Sequence, residues 1–417
     1  MNLFEELEWR GLLKDISNVE VAKKLLNEGK TTFYCGFDPT GDSLTVGHLV
    51  QIIRILLLQK YGHRAIVLVG GATGLIGDPR QTSERKLLTL EESLKNAEAL
   101  KNQLGKYIDF TDENQAIMVN NYDWISKINV IEFLRDYGKN FNINYMLAKE
   151  TISSRLETGI SYTEFSYMIL QSIDFLHLYK TYNCRIQFGG SDQWGNITSG
   201  LELIRKMVSD KEDVLGLSSP LLMKTDGTKF GKSENGALWL DATKTSPYAI
   251  YQYFLNTSDS DVETYLKTLT LLSKDEIENL ISKMREKPEE RAAQKALGKE
   301  IVTFLHGEEE YNNAIRITDA LFSGNIKNLT SKEIEESLSD VLIGIIDSDI
   351  NIIDLLVNTG ITSSKREARE LVETNAISIN GEKITFTDYI ISKENAIDNK
   401  FTVVRRGKKK YYLIEHK

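Results

Sequence analysis

The sequence has few of the residues that build disulfide frameworks or metal clusters. Its 417 residues include only two cysteines, Cys35 and Cys184, and five histidines. Two cysteines are too few for a disulfide framework, and they fit a reducing compartment. The histidines are scattered, at positions 48, 63, 177, 306 and 416, and form no metal-ligand pattern with the cysteines. We therefore predict no protein-bound metal.

The sequence also lacks long apolar runs. None approaches the roughly 20 residues that a membrane helix needs. The first residues, MNLFEELEWRGLL, are acidic and amphipathic, unlike a signal or transit peptide. We therefore expect a cytoplasmic protein with no membrane partner. Hydrophobic residues make up 41% of the chain and charged residues 27%, which is ordinary for a globular protein, and the length suggests two or three domains.

The net charge of −9 is distributed unevenly along the chain. Residues 351–417 carry 12 Lys and Arg against 9 Asp and Glu, a net charge of +3, so the preceding 350 residues carry −12. An acidic body with a basic tail argues against indiscriminate nucleic-acid binding. It suits a protein that contacts a polyanion with one module.

The stretch Thr32–Leu57 reads as a strand, a turn and a helix. Thr32–Cys35 is a short run of β-type residues, residues 36–43 are dense in turn formers, and apolar residues then recur at helical spacing. Gly47 and His48 fall in the first turn of that helix, where free N–H groups and the helix dipole favour an anion. Gly47 lets a nucleotide lie against the backbone, and His48 can donate to a phosphate. The alternative is an ordinary helix start.

Two more strand–loop segments predict a parallel sheet. Ala65–Val69 is a continuous apolar run, typical of a buried parallel strand, and it enters a glycine-rich loop over 70–79. The glycine spacing does not match a dinucleotide fingerprint, and Asp78-Pro79 breaks the helix that should follow. A substrate-contacting loop at the carboxyl edge of the sheet is favoured. Ile117–Asn120 is predicted to be a short strand. Arg185–Phe188 is another strand and leads to Asp192, an acceptor suited to ribose hydroxyls.

A polar row occurs inside an otherwise apolar helical segment, Tyr162–Tyr179. Tyr167, Gln171 and Asp174 lie four and three residues apart, which places them on one helical face. Such a row is either a solvated stripe or the lining of a pocket. The apolar neighbours leave little room for a wet face, and both interpretations stay open.

The segment 223–234 contains two lysines, Lys229 and Lys232, on a glycine-flanked loop. Gly227–Ser233 falls one residue short of a phosphate-loop motif and has no clear flanking strand and helix, so we reject that motif. Two lysines three residues apart can close on a triphosphate. The alternative is a surface turn with solvated lysines.

The second half of the chain changes character. Residues 246–324 have helical patterns without strand runs, and residues 325–350 resemble a linker with short helical pieces. Residues 401–414 read as strand with a basic hairpin. We predict these domains: 1–222, an α/β catalytic domain; 223–245, a loop and connector; 246–324, a helical domain; 325–350, a linker; and 351–417, a small basic domain.

These features together resemble bacterial tyrosyl-tRNA synthetases over essentially the whole chain. Thr45-Val46-Gly47-His48 is similar to the HIGH signature of class I aminoacyl-tRNA synthetases, and residues 229–233, KFGKS, to their KMSKS loop. Residues 364–369 and the turn at 379–381 resemble the S4 RNA-binding module. The resemblance implies an α/β fold: a Rossmann-like parallel-sheet catalytic domain, then an all-α anticodon-binding domain and a small α+β S4-like domain, usually as a homodimer.

The resemblance also implies an ATP-dependent tyrosine–tRNA ligase with L-tyrosine, ATP and tRNA(Tyr) as partners. ATP, a substrate, would bring Mg²⁺. The implied catalytic residues are Thr40, Thr45, His48, Arg85, Lys229 and Lys232. The implied tyrosine-binding residues are Tyr34 and Asp174 for the phenol, Asp78, Tyr167 and Gln171 for the ammonium, and Gln193 for the carboxylate. The implied ATP-binding residues are Cys35, Gly36, Asp38, Gly47, His48, Gly190, Asp192 and Lys232. The implied tRNA-binding residues are Lys365, Arg366, Arg369, Arg405, Arg406, Lys408, Lys409 and Lys410.

Two positions depart from the family pattern. Thr45 replaces the first HIGH histidine, and a threonine donates over a shorter reach. The family usually has a lysine a few residues before Arg85; here either Arg80 takes that role or the role is distributed differently.

Two alternatives to a tyrosyl-type synthetase remain: a tryptophanyl-type class I synthetase, and a non-catalytic RNA-binding protein on a synthetase scaffold. Tyr34 with Asp174, and the S4-like tail, argue against the first; His48 and the two lysines argue against the second.

Overall fold

The computed structural model describes the chain except residues 80–86, 111–115, 212, 229, 234–235, 339–340 and 408–409, and it gives only the backbone of 232 and 233. It divides into two compact units. The first comprises Met1–Asp241 and Thr257–Leu297, and the second Ala242–Asn256 and Gly298–Lys417. The helical domain predicted over 246–324 therefore has residues in both units. The domain boundaries themselves stay predictions.

The helices of the described chain are numbered in order. They are α1 (Leu3–Trp9), α2 (Val19–Asn27), α3 (Leu49–Lys60), α4 (Thr73–Ile76), α5 (Leu90–Tyr107), α6 (Tyr122–Ile125), α7 (Val130–Glu132), α8 (Ile143–Leu147), α9 (Glu150–Ser153), α10 (Tyr162–Tyr182), α11 (Trp194–Met207), α12 (Pro247–Leu255), α13 (Val262–Leu269), α14 (Lys274–Glu286), α15 (Ala292–His306), α16 (Glu308–Ser323), α17 (Ser331–Leu338), α18 (Ile352–Asn358) and α19 (Lys365–Glu373). A π-helical turn follows α7 at Phe133–Tyr137, and short 3₁₀ turns occur at Val46–His48, Gly138–Asn140, Ser191–Gln193, Pro288–Glu290, Ile326–Asn328 and Lys393–Asn395.

The strands form two larger sheets and two small ones. They are β1 (Thr32–Phe37), β2 (Arg64–Val69), β3 (Ile117–Asn120), β4 (Cys184–Gly190), β5 (Leu215–Ser219), β6 (Lys232–Ser233), β7 (Gly236–Ala237), β8 (Leu342–Ile346), β9 (Ile350–Asn351), β10 (Ile377–Ile379), β11 (Glu382–Lys383), β12 (Ile390–Ile391), β13 (Phe401–Arg406) and β14 (Lys410–His416).

The first unit is built on a parallel sheet with the strand order β3-β2-β1-β4-β5. The order reverses between β1 and β4, and the carboxyl ends of strands at such a switch point form a crevice where ligands bind. The α/β fold class predicted from the sequence is confirmed. Strands β1, β2 and β3 were predicted within a few residues, whereas β5 was not predicted.

Helix α10 packs against this sheet and carries the polar row Tyr167, Gln171 and Asp174. The Ser161 hydroxyl caps its first turn by accepting from the Glu164 backbone N–H at 3.3 Å, and Asn183 ends it in a left-handed conformation with φ 54°. Most of its side chains are buried, including Tyr167 and Asp174. The row therefore lies inside the protein, so the solvated-stripe alternative is wrong.

The second unit contains a mixed sheet with the order β11-β10-β13-β14-β8. Strand β8 pairs in parallel with β14, and it lies in the range predicted to be a linker. In the range 401–414, predicted as strand with a basic hairpin, the described residues form two strands, β13 and β14, which pair antiparallel. Helices α18 and α19 pack on this sheet around a core that includes Ile352, Leu356 and Val404.

In the described part of the chain, no helix combines the length and the apolar character that a membrane span requires.

Candidate active site

A cleft of about 400 Å³ opens at the carboxyl edge of the parallel sheet, between β1 and β4. Fourteen of its lining residues belong to the predicted site: Tyr34, Gly36, Asp38, Thr40, Thr45, Gly47, His48, Asp78, Tyr167, Gln171, Asp174, Gly190, Asp192 and Gln193. It is also lined by Phe37, Gln51, Leu68, Thr73, Gln187, Phe188, Gly189 and Leu221. The structure thus brings together residues from separate segments of the sequence.

One end of the cleft holds two buried polar side chains, Tyr34 and Asp174. The Tyr34 hydroxyl is buried and makes no hydrogen bond to any described residue. The Asp174 carboxylate accepts from Asn121 Nδ2 at 3.0 Å and from Trp124 Nε1 at 2.8 Å. Burial raises the pKa of Asp174 to about 7, against the lowering effect of these two donors. This end can therefore bind a group that both donates and accepts a hydrogen bond.

The middle of the cleft contains further carboxyl groups. Asp38 accepts from the Tyr167 hydroxyl and from the Thr73 hydroxyl, each at 2.7 Å. Asp38 was predicted to bind ATP, and Tyr167 was predicted to bind the ammonium group of tyrosine. The hydrogen bond between them joins these two predicted sites.

Asp78 lies nearby and is bonded to amide side chains. It accepts from Gln193 Nε2 at 2.7 Å and Asn196 Nδ2 at 3.0 Å, and burial raises its pKa to about 6. Gln171 lines the same cleft. Carboxylates and amides in this arrangement suit a cation such as an ammonium group.

The helix start carries Thr45 and His48, which bond to each other. The Thr45 backbone N–H donates to His48 Nδ1 at 3.0 Å, and the Thr45 hydroxyl lies 3.1 Å from the same nitrogen. Since Nδ1 accepts, the neutral ring carries its proton on Nε2, which becomes a donor. Burial lowers the pKa of His48 and keeps the ring neutral. These contacts orient the His48 ring, and the role of Thr45 as a phosphate donor stays a prediction.

The lysine loop reaches the same helix start through its glycine. Gly231 has φ 77°, and a Cβ atom there would lie 3.4 Å from the Gly47 backbone nitrogen and 3.0 Å from Val46 Cγ2. The two predicted nucleotide signatures are therefore adjacent. Lys229, Arg85 and Arg80 lie outside the described residues, and only the backbone of Lys232 is described, in β6.

The remaining predicted ATP residues surround the opposite end of the cleft. Gly36 and Gly47 are exposed, so a ligand can approach their backbone, whereas Gly190 is buried and a Cβ atom there would lie 2.5 Å from Asp192 Oδ1. Thr40 is exposed and lines the cleft. Cys35 is buried under the floor, and its thiol donates to Gln51 Oε1 at 2.9 Å.

The predicted tRNA residues lie in the second unit. Arg366, Arg369 and Lys410 are exposed. Lys365 pairs with Asp354 at 2.6 Å and Arg406 with Glu367 at 2.8 Å, so these two side chains also hold the module together. Arg405 is partly buried beside the Tyr411 hydroxyl, whereas Lys408 and Lys409 lie outside the described residues.

Sequence reasoning missed several residues that line the cleft or hold its side chains in place. Asn121 and Trp124, which hold Asp174, follow β3 at the carboxyl edge of the sheet, and that position is the signal that could have identified them. Gln187 lies inside β4, and its Oε1 is buried without a hydrogen bond to any described residue. Nothing in the sequence pattern marked Gln51.

Comparisons with known proteins agree over the whole chain. A family model described as "tRNA synthetases class I (W and Y)" matches residues 26–323, and one described as "Tyrosine--tRNA ligase SYY-like C-terminal domain" matches residues 333–414. The chain is 54% identical to a Tyrosine--tRNA ligase from Geobacillus stearothermophilus and 53% identical to Tyrosine--tRNA ligase 1 from Bacillus subtilis (strain 168); in both cases the match covers 100% of each chain. A C-terminally truncated mitochondrial tyrosyl-tRNA synthetase from Aspergillus nidulans is similar with a TM-score of 0.70 at 30% identity, covering 77% of this chain and 94% of that one.

Proposed function

The chain belongs to the tyrosine–tRNA ligases, a family of class I aminoacyl-tRNA synthetases, and we propose that the cleft between β1 and β4 is where it activates tyrosine with ATP. Tyrosyl-adenylate and pyrophosphate are the products of this first step. The second step transfers the tyrosyl group to the terminal ribose of tRNA(Tyr).

The observation that carries the proposal is the pair of Tyr34 and Asp174 at the closed end of the cleft. A phenol hydroxyl donates to the Asp174 carboxylate and accepts from the Tyr34 hydroxyl, which otherwise has no described partner. Asn121 and Trp124 occupy other positions on Asp174 and fix its orientation. A phenylalanine ring in the same place leaves both polar groups unbonded, which costs free energy.

The other end of the amino acid meets the carboxyl groups and amides in the middle of the cleft. Asp78, Tyr167 and Gln171 would hold the ammonium, and Gln193, already fixed on Asp78 at 2.7 Å, would hold the carboxylate. This arrangement points the carboxylate of tyrosine toward the α-phosphorus of ATP. One of its oxygens attacks the phosphorus, and the bond to pyrophosphate breaks.

No side chain needs to act as a nucleophile, because the substrate supplies one. Catalysis is then positioning plus stabilisation of charge on the phosphorus and the departing pyrophosphate. His48 would donate from Nε2, and Thr40 from its hydroxyl. We propose Lys229, Lys232 and Arg85 as further cations on the phosphates, with Mg²⁺ entering with ATP. Gly36, Gly47, Gly190 and Asp192 would surround the adenosine.

For the second step we propose that the S4-like module binds tRNA through its exposed cations, Arg366, Arg369 and Lys410. A ribose hydroxyl of the tRNA attacks the carbonyl carbon of the adenylate, and AMP leaves. We also propose that the protein acts in the cytoplasm. Support comes from its two cysteines, which are both unpaired and buried.

We further propose a homodimer. Large apolar side chains are unusually exposed along residues 130–162, among them Val130 at 71%, Ile131 at 67% and Tyr162 at 64%. A second copy of the chain would cover such a surface. Light scattering on Ile131→Glu should give half the wild-type mass. The matched control, Val19→Glu on α2, where Val19 is 44% exposed, should keep it. An Ile131→Glu protein that keeps the full mass contradicts this surface assignment.

Exchange of labelled pyrophosphate into ATP tests the proposed function directly. We expect exchange with tyrosine and almost none with phenylalanine or tryptophan assayed in parallel. Charging of tRNA(Tyr) with labelled tyrosine, on the same preparation, tests the second step. Exchange that depends on tryptophan, or no exchange at all, would refute the proposal.

A further inference from the structure

A buried arginine lies under the cleft and belongs to no part of the site described so far. Arg54, on α3, is 1% exposed and is one of the largest fully buried side chains. Its Nη1 donates to the Gly189 carbonyl at 3.0 Å and to the Ser219 hydroxyl at 2.6 Å. Its Nη2 donates to Gln51 Oε1, and the guanidinium lies 3.8 Å from the centre of the Phe188 ring.

These partners are all neutral. Carbonyl, hydroxyl, amide and aromatic groups solvate a positive charge but do not neutralise it. Within the described chain, no carboxylate lies at ion-pair distance from Arg54, and the thiol of Cys35, 4.0 Å from Nη2, is the sole titratable group bonded to it. Burial lowers the pKa of Arg54 only to about 10, so the side chain is charged at neutral pH. An unpaired buried charge is costly, so a protein retains one where something offsets the cost.

The contacts of Arg54 place its charge directly behind the nucleotide end of the cleft. Gln51, Phe188 and Gly189 are its neighbours, and all three line the cleft. Gln51 Oε1 also accepts from the Cys35 thiol at 2.9 Å, so Arg54, Gln51 and Cys35 form one connected group under the floor. A charge this close to a low-dielectric floor acts on whatever occupies the cleft above it.

We propose that Arg54 is a positioning residue for ATP, whose unpaired buried charge selects the anionic nucleotide and fixes Gln51 and Cys35 at the floor. The phosphates of ATP supply the negative charge that no described carboxylate provides to Arg54. Tyrosine is a zwitterion without net charge and gains little from it. The inference rests on the proposed function, since it takes ATP as the occupant of the cleft.

Two substitutions of Arg54 separate charge from packing. Arg54→Met keeps the volume and removes the charge. We expect the KM for ATP in pyrophosphate exchange to rise about tenfold, while the KM for tyrosine and the inhibition constant of uncharged adenosine change less than threefold. Arg54→Lys keeps the charge, so its KM for ATP should be nearer to that of wild type. The thermal midpoint of the ligand-free Arg54→Met protein should be equal to or above that of wild type, and ATP should raise it less.

A second pair of variants keeps Arg54 in place. Ser219→Asp puts a carboxylate beside Nη1 and neutralises the charge, whereas Ser219→Asn is its uncharged match. We expect Ser219→Asp to raise the KM for ATP about as much as Arg54→Met does, and Ser219→Asn to leave it within threefold of wild type.

The proposal is overturned if Ser219→Asp and Ser219→Asn shift the KM for ATP equally. It is also overturned if Arg54→Met weakens ATP, tyrosine and adenosine alike, because Arg54 is then a structural side chain. Wild-type exchange with tyrosine is measured first on the same assay. Its absence would refute the proposed function, whereas a change between variants addresses Arg54 alone.

Discussion

The carboxyl groups of the cleft owe their chemistry to burial. Asp174 and Asp78 lie among groups that donate to them, yet desolvation outweighs the donors and raises their pKa values to about 7 and about 6. Tyrosine bound as proposed would change this balance at Asp174, because a phenol that donates to the carboxylate favours its charged form. Tyrosine binding and the ionisation of Asp174 would therefore be linked.

The raised pKa of Asp174 predicts a pH dependence of stability. The folded protein keeps a proton that the unfolded chain releases above about pH 4, so stability from this group is complete below pH 4 and is lost as pH rises through about 7. The loss is of the order of 4 kcal/mol for the full shift. In Asp174→Asn this contribution is absent, so we expect the thermal midpoint to fall less between pH 5 and pH 8 than in wild type.

The comparison across pH, rather than the absolute midpoint, is the measurement for this prediction, because an amide at 174 also changes the bonds to Asn121 and Trp124. Exposed Asp123→Asn is the control and should follow the wild-type curve. Equal pH dependence in wild type and Asp174→Asn would contradict the assignment.

Tyr34→Phe removes a hydroxyl that is buried and has no described partner. We expect the ratio of kcat/KM for tyrosine over phenylalanine to narrow roughly tenfold, which corresponds to about 1 kcal/mol for one hydrogen bond. The thermal midpoint of the ligand-free protein should not fall, because no bond within the protein is lost. An unchanged ratio would place Tyr34 outside the substrate pocket, and a lower midpoint would give it a structural role.

Among the elements, the side chain of Arg10, the residue directly after α1, links α1 to the end of α13. Arg10 is buried, pairs with Glu6 at 2.9 Å and donates to the carbonyls of Lys267, Thr270 and Leu272 at 2.7–3.0 Å. The carbonyls at the end of a helix have no partners within it, and here a guanidinium from a distant part of the chain satisfies them. The packing of 257–297 in the first unit thus depends on residue 10.

Arg10→Ala should therefore destabilise the first unit by about 3 kcal/mol, because it leaves three carbonyls without their donor and removes the cation from the Glu6 carboxylate, which keeps only its bond from the Tyr61 hydroxyl. Thermal unfolding followed by circular dichroism measures the effect as a lower first midpoint. Lys14→Ala, at an exposed position nearby, is the control and should change the midpoint little. If Arg10→Ala and Lys14→Ala have the same first midpoint, the contacts of Arg10 contribute no net stability.

Elements with strong local patterns were predicted, and elements that depend on distant partners were not. Ile117–Asn120 was predicted at its observed bounds because its own apolar run defines it. Strand β5 has the sequence LGLSS and is fully buried, but its two serines do not indicate a buried strand. Strand β8 depends on pairing with β14, which comes some 70 residues later in the chain. The cleft follows the same rule. Helical spacing identified Asp174, whereas Trp124, which bonds to it, comes from a segment 50 residues earlier.

Across the whole molecule, the residues proposed for adenylate formation and those proposed for RNA binding lie in different units, but the second unit cannot be cut at residue 350. Its core joins Ile317, Leu321 and Ile334 to Phe401 and Val403, so removal of 351–417 would expose apolar side chains as well as remove cations. Substitution of exposed charges in the full chain therefore separates the two functions better than truncation.

Reversal of two exposed charges on α19, Arg366→Glu with Arg369→Glu, should weaken tRNA binding and leave the first step intact. We expect the KM for tRNA(Tyr) to rise about tenfold or more, and the slope of log affinity against log salt to fall by about two, because two phosphate contacts are lost. Pyrophosphate exchange, in the other unit, should stay within threefold of wild type. The matched control reverses two exposed charges on α5, Lys95→Glu with Lys106→Glu, and should keep both activities. If exchange and charging fall together in the α19 variant, this helix supports the fold; if neither falls, its arginines are only a solvated surface.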